Sequence, residues 1–268
     1  MLGSKMRRKD RLISGLVISR YPQMPPFYLL RVMWWRKSKG LEILVLGAGR
    51  GGTSLLATLL DAHPQLEVHM EECVPEYLVA PDRQRFATVD SQLKAFVEAN
   101  QKLAKKSKLR WGNKITTEQL GFVENFGKDL TARQKMVEQL LRGPKLLFIV
   151  RDGRTCISSK LERTQADYPT ALNYWKHSVS LLKYLQEQKL DLLVLKFEDL
   201  LQQPREELQK ACDFLNISYS ESMLSGTASD RILVDYRRSG LEAERAERPI
   251  HPDVNIADIN EELRFLSY

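Results

Sequence analysis

Cysteine is scarce in this sequence, with only Cys73, Cys156 and Cys212 among 268 residues. Their odd number and wide spacing fit neither a disulfide framework nor a zinc site. A reducing compartment is the simpler inference, so we expect a cytoplasmic protein.

Long apolar runs are missing as well, since no window reaches the roughly 20 residues that a membrane helix needs. Residues 1–40 instead combine a basic cluster, a short apolar run over Leu12–Ile18 and an aromatic stretch over Phe27–Trp35. No small-residue cleavage site follows the run, so a secretory signal peptide is not expected. We expect a strap that packs on the domain; the alternative is peripheral contact with a membrane or an apolar acceptor.

Charge and motif content narrow the choice of partners. The formal net charge of +7 suggests an anionic partner, for which a phosphorylated nucleotide serves as well as a nucleic acid. The sequence has no nucleic-acid-binding motif and no acidic metal-binding motif, so we expect neither of these partners. It also lacks repeats and a convincing linker. We therefore expect a single domain over 1–268, with a core at 41–217 and a C-terminal segment at 218–268 that has little pattern.

Apolar, β-favouring runs alternate with helical patterns along the chain. The runs predict strands over 43–46, 66–70, 109–113, 145–150 and 191–197. Helices are predicted between them, over 53–60, 90–106, 117–126, 131–141, a stretch ending near 163, 168–188 and 205–215. This alternation predicts an α/β protein whose parallel sheet is flanked by helices on both faces.

A glycine-rich turn separates the first strand from the first helix. Gly47, Gly49, Gly51 and Gly52 break the strand, and the helical pattern begins at Thr53. Such a turn directs several backbone N–H groups at one point, where the helix dipole also favours an anion. Arg50 within the same turn adds a positive charge. The turn is therefore predicted to bind a phosphate or a sulfate.

The amino-acid sequence of this turn differs from that of a nucleoside-triphosphate P-loop. A P-loop requires a lysine after its last glycine, but Thr53 and Ser54 follow Gly52 here. A dinucleotide-binding pattern also fits the glycines, and Glu67, Glu71 and Glu72 lie at a suitable distance for its ribose-binding acid.

Other residues carry a resemblance to a known family. The segment from Arg50 to Leu56, followed by His63-Pro64, resembles the 5′-phosphosulfate loop of sulfotransferases that use 3′-phosphoadenosine 5′-phosphosulfate (PAPS). The usual spelling is R-S-G-T-[TS]-L-L, so Gly51 stands in place of a serine. The resemblance covers roughly residues 41–217 and implies a P-loop-like fold.

Two further segments extend the resemblance. Arg151-Asp-Gly-Arg154 with Ser159 is similar to the family's 3′-phosphate motif R-D-P-R-x-x-x-x-S, although Gly153 replaces the proline. Arg163, one turn later, is a weaker candidate for the same site. The segment Phe197–Pro204 is similar to Y-E-D-L-x-x-x-P, for which we expect an architectural role in which Glu198 binds backbone donors or a basic side chain.

The resemblance also implies catalytic residues. Asn113-Lys114 is similar to a segment of tyrosylprotein sulfotransferases whose lysine contacts the phosphosulfate. In that branch a Glu-Glu pair supplies the general base, which corresponds to Glu71 or Glu72; we favour Glu72 and keep Glu71 open. The cytosolic branch uses a histidine base, for which the competing candidates are His69 and His177.

A short basic segment late in the chain is the last candidate. Tyr236–Gly240, with Arg237 and Arg238, resembles loosely the R-K-G segment with which cytosolic sulfotransferases bind the 3′-phosphate. Ser229 is a weaker candidate for a nucleotide contact.

The resemblance implies in-line transfer of a sulfuryl group from PAPS to a hydroxyl acceptor. The glutamate would take the acceptor's proton, and Arg50, Lys114 and the loop N–H groups would stabilise the developing charge. The loop residues Gly51, Gly52, Thr53 and Ser54 would hold the 5′-phosphate, and Arg151 and Ser159 the 3′-phosphate. The acceptor stays open between a carbohydrate, a small alcohol or phenol, a lipid and a tyrosine.

Two alternatives remain at this point. One is a kinase-like enzyme, which would need the missing lysine and a Mg²⁺-binding aspartate. The other is a non-catalytic protein that binds PAPS or the product PAP (3′-phosphoadenosine 5′-phosphate) and holds a partner.

Overall fold

The structure is a computed structural model that describes residues 40–79, 86–126, 129–228, 241 and 249–268. All of them belong to the compact unit Ser38–Tyr268. The N-terminal extension 1–39, Ser229 and the basic segment with Arg237 and Arg238 lie outside the described residues.

Strands and helices alternate along the described chain. The strands are β1 Leu41–Leu46, β2 Leu66–Met70, β3 Arg110–Lys114, β4 Lys145–Val150 and β5 Leu192–Lys196. The helices are α1 Thr53–Asp61, α2 Val89–Ala104, α3 Thr117–Glu124, α4 Ala132–Met136, α5 Gly153–Arg163, α6 Tyr168–Glu187, α7 Phe197–Gln202, α8 Pro204–Leu215 and α9 Asn260–Leu266. Wider π-type turns cover Pro75–Val79 and Val137–Leu141, and 3₁₀ turns cover Glu221–Ala228 and Ile256–Ile259.

The five strands form one parallel sheet in the order β2-β3-β1-β4-β5. Central strand β1 is almost entirely apolar, as expected for a strand that is covered on both faces. The chain leaves β1 toward β2 on one side, and it leaves β4 toward β5 on the other. The carboxyl ends of β1 and β4 therefore flank the topological switch point, where open α/β sheets bind their ligands.

Helices cover both faces of the sheet and create two apolar cores. Leu44, Leu46 and Phe148 face a core that includes residues of α2 to α6 and of α9. Ile43 and Val45 face the opposite core, which is closed by α1, α7, α8 and the 3₁₀ turn Glu221–Ala228. This arrangement confirms the predicted α/β fold with a parallel sheet between two helical layers.

Several predicted elements begin or end one or two residues from the observed bounds, and two differences have a clear structural basis. The fifth strand ends at Lys196 rather than 197, and Phe197 begins the short helix α7, because Phe197 turns inward against the glycine loop. The segment after 218 is more ordered than its weak pattern indicates. Met223 and Gly226 are buried against α1, and Leu263 and Leu266 of α9 join the larger core.

Candidate active site

The glycine turn between β1 and α1 has a backbone that restricts side chains. Gly47 and Gly52 have positive φ angles of 150° and 99°. A Cβ atom at Gly47 would lie 2.4 Å from the carbonyl oxygen of Ile149, and one at Gly52 would lie 2.4 Å from the Phe197 ring. Arg50, a non-glycine residue, also has a positive φ of 71°. Such backbone conformations cost free energy and persist only where the surrounding structure imposes them, and they concentrate at functional sites.

The structure also explains why position 51 is a glycine, although the resemblance to the family leads us to expect a serine there. The Gly51 N–H donates to the carbonyl of Ala48 over 2.8 Å, which closes a tight turn. A Cβ at Gly51 would lie only 2.8 Å from that same carbonyl oxygen. A serine would therefore require the turn to shift.

The second predicted anion-binding motif contacts this turn directly. The guanidinium of Arg151, at the end of β4, donates from Nη1 to the Arg50 carbonyl over 2.9 Å. Arg50 Nε in turn lies 3.4 Å from the hydroxyl oxygen of Ser159 on α5. The two segments, 101 residues apart in sequence, thus form one continuous polar surface at the switch point.

Arg151 is oriented by buried contacts. Its guanidinium lies over the Phe197 ring at 4.5 Å from the ring centre, and its Nε donates to Thr155 Oγ1 over 3.1 Å. Burial lowers the pKa of Arg151, and the carboxylate of Glu198 acts in the opposite direction. A guanidinium with so high an intrinsic pKa stays charged, so the site contains a buried, pre-oriented cation.

Gly153 has a packing role that the sequence did not reveal. A Cβ at this position would lie 2.5 Å from the Trp175 ring of α6. The Trp175 Nε1–H donates to the carbonyl of Arg151 over 3.2 Å. The glycine therefore lets the indole pack against the start of α5 and fix the Arg151 backbone.

Glu198 has the backbone-binding role that its segment suggested. Its Oε1 accepts the N–H of Asp152 over 3.2 Å, and its Oε2 accepts the hydroxyl of Tyr268 over 2.5 Å. Burial, and after it the charge of Glu198, raises the pKa of Tyr268. This phenol therefore stays protonated. The C-terminal segment is thereby connected to the start of α5.

Lys114 and Glu71 form the third part of the site. Lys114 ends β3 and is buried, and its Nζ lies 2.5 Å from Glu71 Oε1. The Glu71 N–H also donates to the Lys114 carbonyl over 2.9 Å. Glu71 has a positive φ of 59°, another strained non-glycine position at this edge of the sheet.

Asn113 fixes the backbone next to this pair. Its Oδ1 accepts the N–H of Glu72 over 3.1 Å, and its Nδ2 donates to the Glu72 carbonyl over 2.9 Å. Nδ2 also donates to Asn100 Oδ1 over 3.1 Å. Fully buried Asn113 therefore holds the Glu71-Glu72 backbone against β3.

The remaining candidates occupy other positions. Glu72 is half exposed, with its carboxylate 3.7 Å from His69 Nδ1. His69 stacks on Trp111 with ring centres 4.1 Å apart. His177 lies on α6 beside Glu124, 3.2 Å from its carboxylate. Arg163 is exposed at the last residue of α5, about 15 Å along the axis from the helix start.

Sequence reasoning missed a carboxylate that contacts the loop. Glu118, in the first turn of α3, accepts the Gly49 N–H with both carboxylate oxygens, at 2.9 and 2.8 Å. Lys160 on α5 lies 2.5 Å from the same carboxylate, and both side chains are about nine-tenths buried. The sequence offered one indication of this contact: Glu118 follows Lys114 by four residues and lies at the start of a predicted helix.

Comparison with known proteins connects this geometry to a family. The model of the sulfotransferase family matches residues 42–221. The chain belongs to this family. The match includes both predicted anion-binding segments and the Glu71–Lys114 pair.

Individual sulfotransferase relatives are distant. A putative protein-tyrosine sulfotransferase of Caenorhabditis briggsae is 26% identical over 203 residues, which are 68% of this chain and 68% of the relative. A protein-tyrosine sulfotransferase of Drosophila melanogaster is 25% identical over 205 residues, but the match covers only 39% of its length.

Solved sulfotransferase structures share the fold. The sulfotransferase domain of the Synechococcus PCC 7002 olefin synthase superposes with a TM-score of 0.62 at 20% identity, covering 87% of this chain and 98% of the domain. The sulfotransferase domain of the curacin biosynthetic pathway gives a TM-score of 0.61 at 18% identity, covering 86% and 99%.

None of the described helices combines the length and the apolar character needed to cross a membrane. Within the same residues, no three His, Cys, Asp or Glu side chains are grouped as metal ligands.

Proposed function

We propose that this sulfotransferase transfers a sulfuryl group from PAPS to a hydroxyl acceptor. The observation that carries the proposal is the direct contact of Arg151 with the Arg50 carbonyl, since it joins the two anion-binding segments at one switch point. A donor that carries phosphate groups on both the 3′ and the 5′ oxygen of its ribose requires two such segments side by side.

The residues present fit a donor of this kind. Gly47, Gly51 and Gly52 pack so closely that a Cβ at any of them would collide with a neighbouring atom, and Thr53 follows at the start of α1. We assign Gly51, Gly52, Thr53 and Ser54 to the 5′-phosphate, because N–H groups and hydroxyls at a helix N-terminus bind anions. The Gly51 N–H already donates to Ala48, so Gly51 would contribute through the turn that it closes. We assign Arg151 and Ser159 to the 3′-phosphate, because a buried guanidinium gives charge-assisted bonds to phosphate.

In the proposed reaction, the acceptor oxygen bonds to sulfur as the bond from sulfur to the 5′-phosphate oxygen breaks, and PAP is released. Arg50 and Lys114 would stabilise the charge that develops on the sulfuryl and bridging oxygens. A carboxylate would take the acceptor's proton.

We favour Glu71 over Glu72 as that base. Glu71 contacts the buried Lys114 at the carboxyl end of β3, over 2.5 Å. Glu72 instead faces His69 at the sheet margin. The sequence favoured Glu72 because it matched the Glu-Glu pair, whereas the distance from Arg50 matched Glu71.

For the acceptor, we propose a tyrosine hydroxyl as the first to test. Two of the relatives are named as protein-tyrosine sulfotransferases, one of them as a putative one. Phenols, sugars and lipid alcohols are the comparison set.

The decisive test of the donor is calorimetric titration with PAP and with ATP. We expect micromolar PAP binding that Arg50→Ala and Arg151→Ala each abolish, and no comparable affinity for ATP. Arg205→Ala is the matched control, because Arg205 is exposed and pairs with the exposed Glu221. Preference for ATP, or retention of PAP binding in both site variants, would refute the proposal. PAP binding without transfer to any acceptor would instead indicate a non-catalytic binding protein.

A further inference from the structure

The buried pair Glu118–Lys160 beside the phosphosulfate loop has no part in the reaction proposed above. Glu118 places a full negative charge on the Gly49 N–H, inside a loop whose proposed ligand is an anion. A carboxylate in that place would repel the ligand unless a cation compensates for it. The structure supplies such a cation in Lys160 Nζ, 2.5 Å away.

Lys160 approaches the loop itself. Its Nζ would lie 3.1 Å from a Cβ added to Gly49. Its side chain also runs under the Tyr174 ring, with Nζ 4.9 Å from the ring centre. The ammonium is therefore held between α5, α6 and the loop, next to Gly49.

Glu118 also connects the loop to the strand that carries Lys114. The N–H of the neighbouring Thr117 donates to the Gly47 carbonyl over 2.9 Å. Together with the Glu118–Gly49 bonds, this fixes the start of α3 to the loop at two points. The relative position of Lys114 and the loop is thereby defined.

We propose that Glu118 and Lys160 form a neutral clasp that fixes the phosphosulfate loop, in which Lys160 cancels the charge of Glu118 so that the loop can accept an anion. Both are positioning residues: Glu118 orders the Gly49 backbone, and Lys160 removes the electrostatic penalty. The proposal rests on the proposed function for the identity of the anion.

A double-mutant cycle on PAP affinity tests the charge cancellation. Lys160→Met leaves the Glu118 carboxylate uncompensated, so we expect PAP affinity to fall about tenfold or more. Glu118→Gln keeps an oxygen that can accept the Gly49 N–H and should bind PAP at least as tightly as the unmodified protein. The combined variant should recover to within about threefold of it.

The control is Lys183→Met, which removes one positive charge on α6, from a lysine that pairs with Glu261. Unchanged PAP affinity in Lys160→Met would overturn the clasp. Failure of Glu118→Gln to rescue Lys160→Met would also overturn it, because it would mean that Lys160 binds the donor directly or serves only to stabilise the fold.

A measurement without nucleotide separates this proposal from the proposed function. Amide hydrogen exchange should show Gly49 protected in the unmodified protein and exchanging at least about tenfold faster in Glu118→Ala, with the β1 amides unchanged. Equal exchange at Gly49 in both proteins would refute the clasp. If Gly49 responds as expected but the unmodified protein does not bind PAP, the donor assignment fails and the loop-fixing role stands.

Discussion

Replacement of Glu71 by glutamine tests the assignment of the general base. Gln is similar in shape and keeps an oxygen that can accept from Lys114 Nζ, which lies 2.5 Å from the present carboxylate. The Asn113 bonds to the Glu72 backbone are untouched, so the local backbone should persist. The variant therefore removes the proton acceptor and little else.

The expected loss follows from the role of a general base, which contributes about 10²- to 10⁴-fold to a rate. This corresponds to roughly 2.7 to 5.4 kcal/mol in the activation barrier. PAP affinity should be equal or tighter, because one negative charge next to Lys114 is removed. A loss in kcat with unchanged PAP affinity is the signature of an interaction made in the transition state.

The assay is transfer of labelled sulfate from PAPS to the best acceptor among tyrosine peptides, phenols, sugars and lipid alcohols. Glu72→Gln is the matched control, and we expect its kcat to stay within about threefold of the unmodified protein. If Glu71→Gln retains full turnover while Glu72→Gln loses it, the reasoning from strand-end geometry is wrong and Glu72 is the base. If both variants keep full turnover, His69 becomes the next candidate.

Three further predictions concern stability and the loop. Gly52→Ala should lower both the melting temperature and the PAP affinity, because the new Cβ would lie 2.4 Å from Phe197. The control Gly143→Ala should change neither, because a Cβ at that position has no atom within 4 Å. His63 is buried, and this burial is the first cause that lowers its pKa from 6.5. Because the unfolded chain then binds more protons than the folded one, the free energy of unfolding measured in urea should fall as the pH drops below about 6.5. His63→Asn should make this pH dependence weaker. Tyr268→Phe removes a hydrogen bond to a carboxylate and should lower the free energy of unfolding by about 1.5 to 3 kcal/mol in denaturant titration; no change would mean the C-terminal contact is not formed.

The order of strands and helices could be predicted from the sequence, because its signals are local. An uninterrupted apolar run at 145–150 and four glycines after Leu46 specify a strand and a turn without knowledge of the rest of the fold. Arg151 was also predictable, since a charged residue at the end of a buried strand must reach the sheet edge. These residues lie where the sequence placed them.

The contacts between distant segments could not be predicted in the same way. Glu118 and Gly49 are 69 residues apart, and Tyr268 and Glu198 are 70 apart. No periodicity in either segment encodes which surfaces meet. The sequence could not decide between Glu71 and Glu72 for a different reason: the positive φ of 59° at Glu71 breaks the alternation of the strand, so side-chain direction cannot be counted from β2.

The hydrogen bond from Arg151 to the Arg50 carbonyl has a consequence for protein engineering. Since the bond runs to backbone, the shape of one segment depends on the side chain of the other. A chimera that takes residues 47–54 from another family member and keeps the native residues 151–159 would have a poorly fitting contact between the two segments. We expect donor preference to be transplantable only when both segments are exchanged together, as a single module.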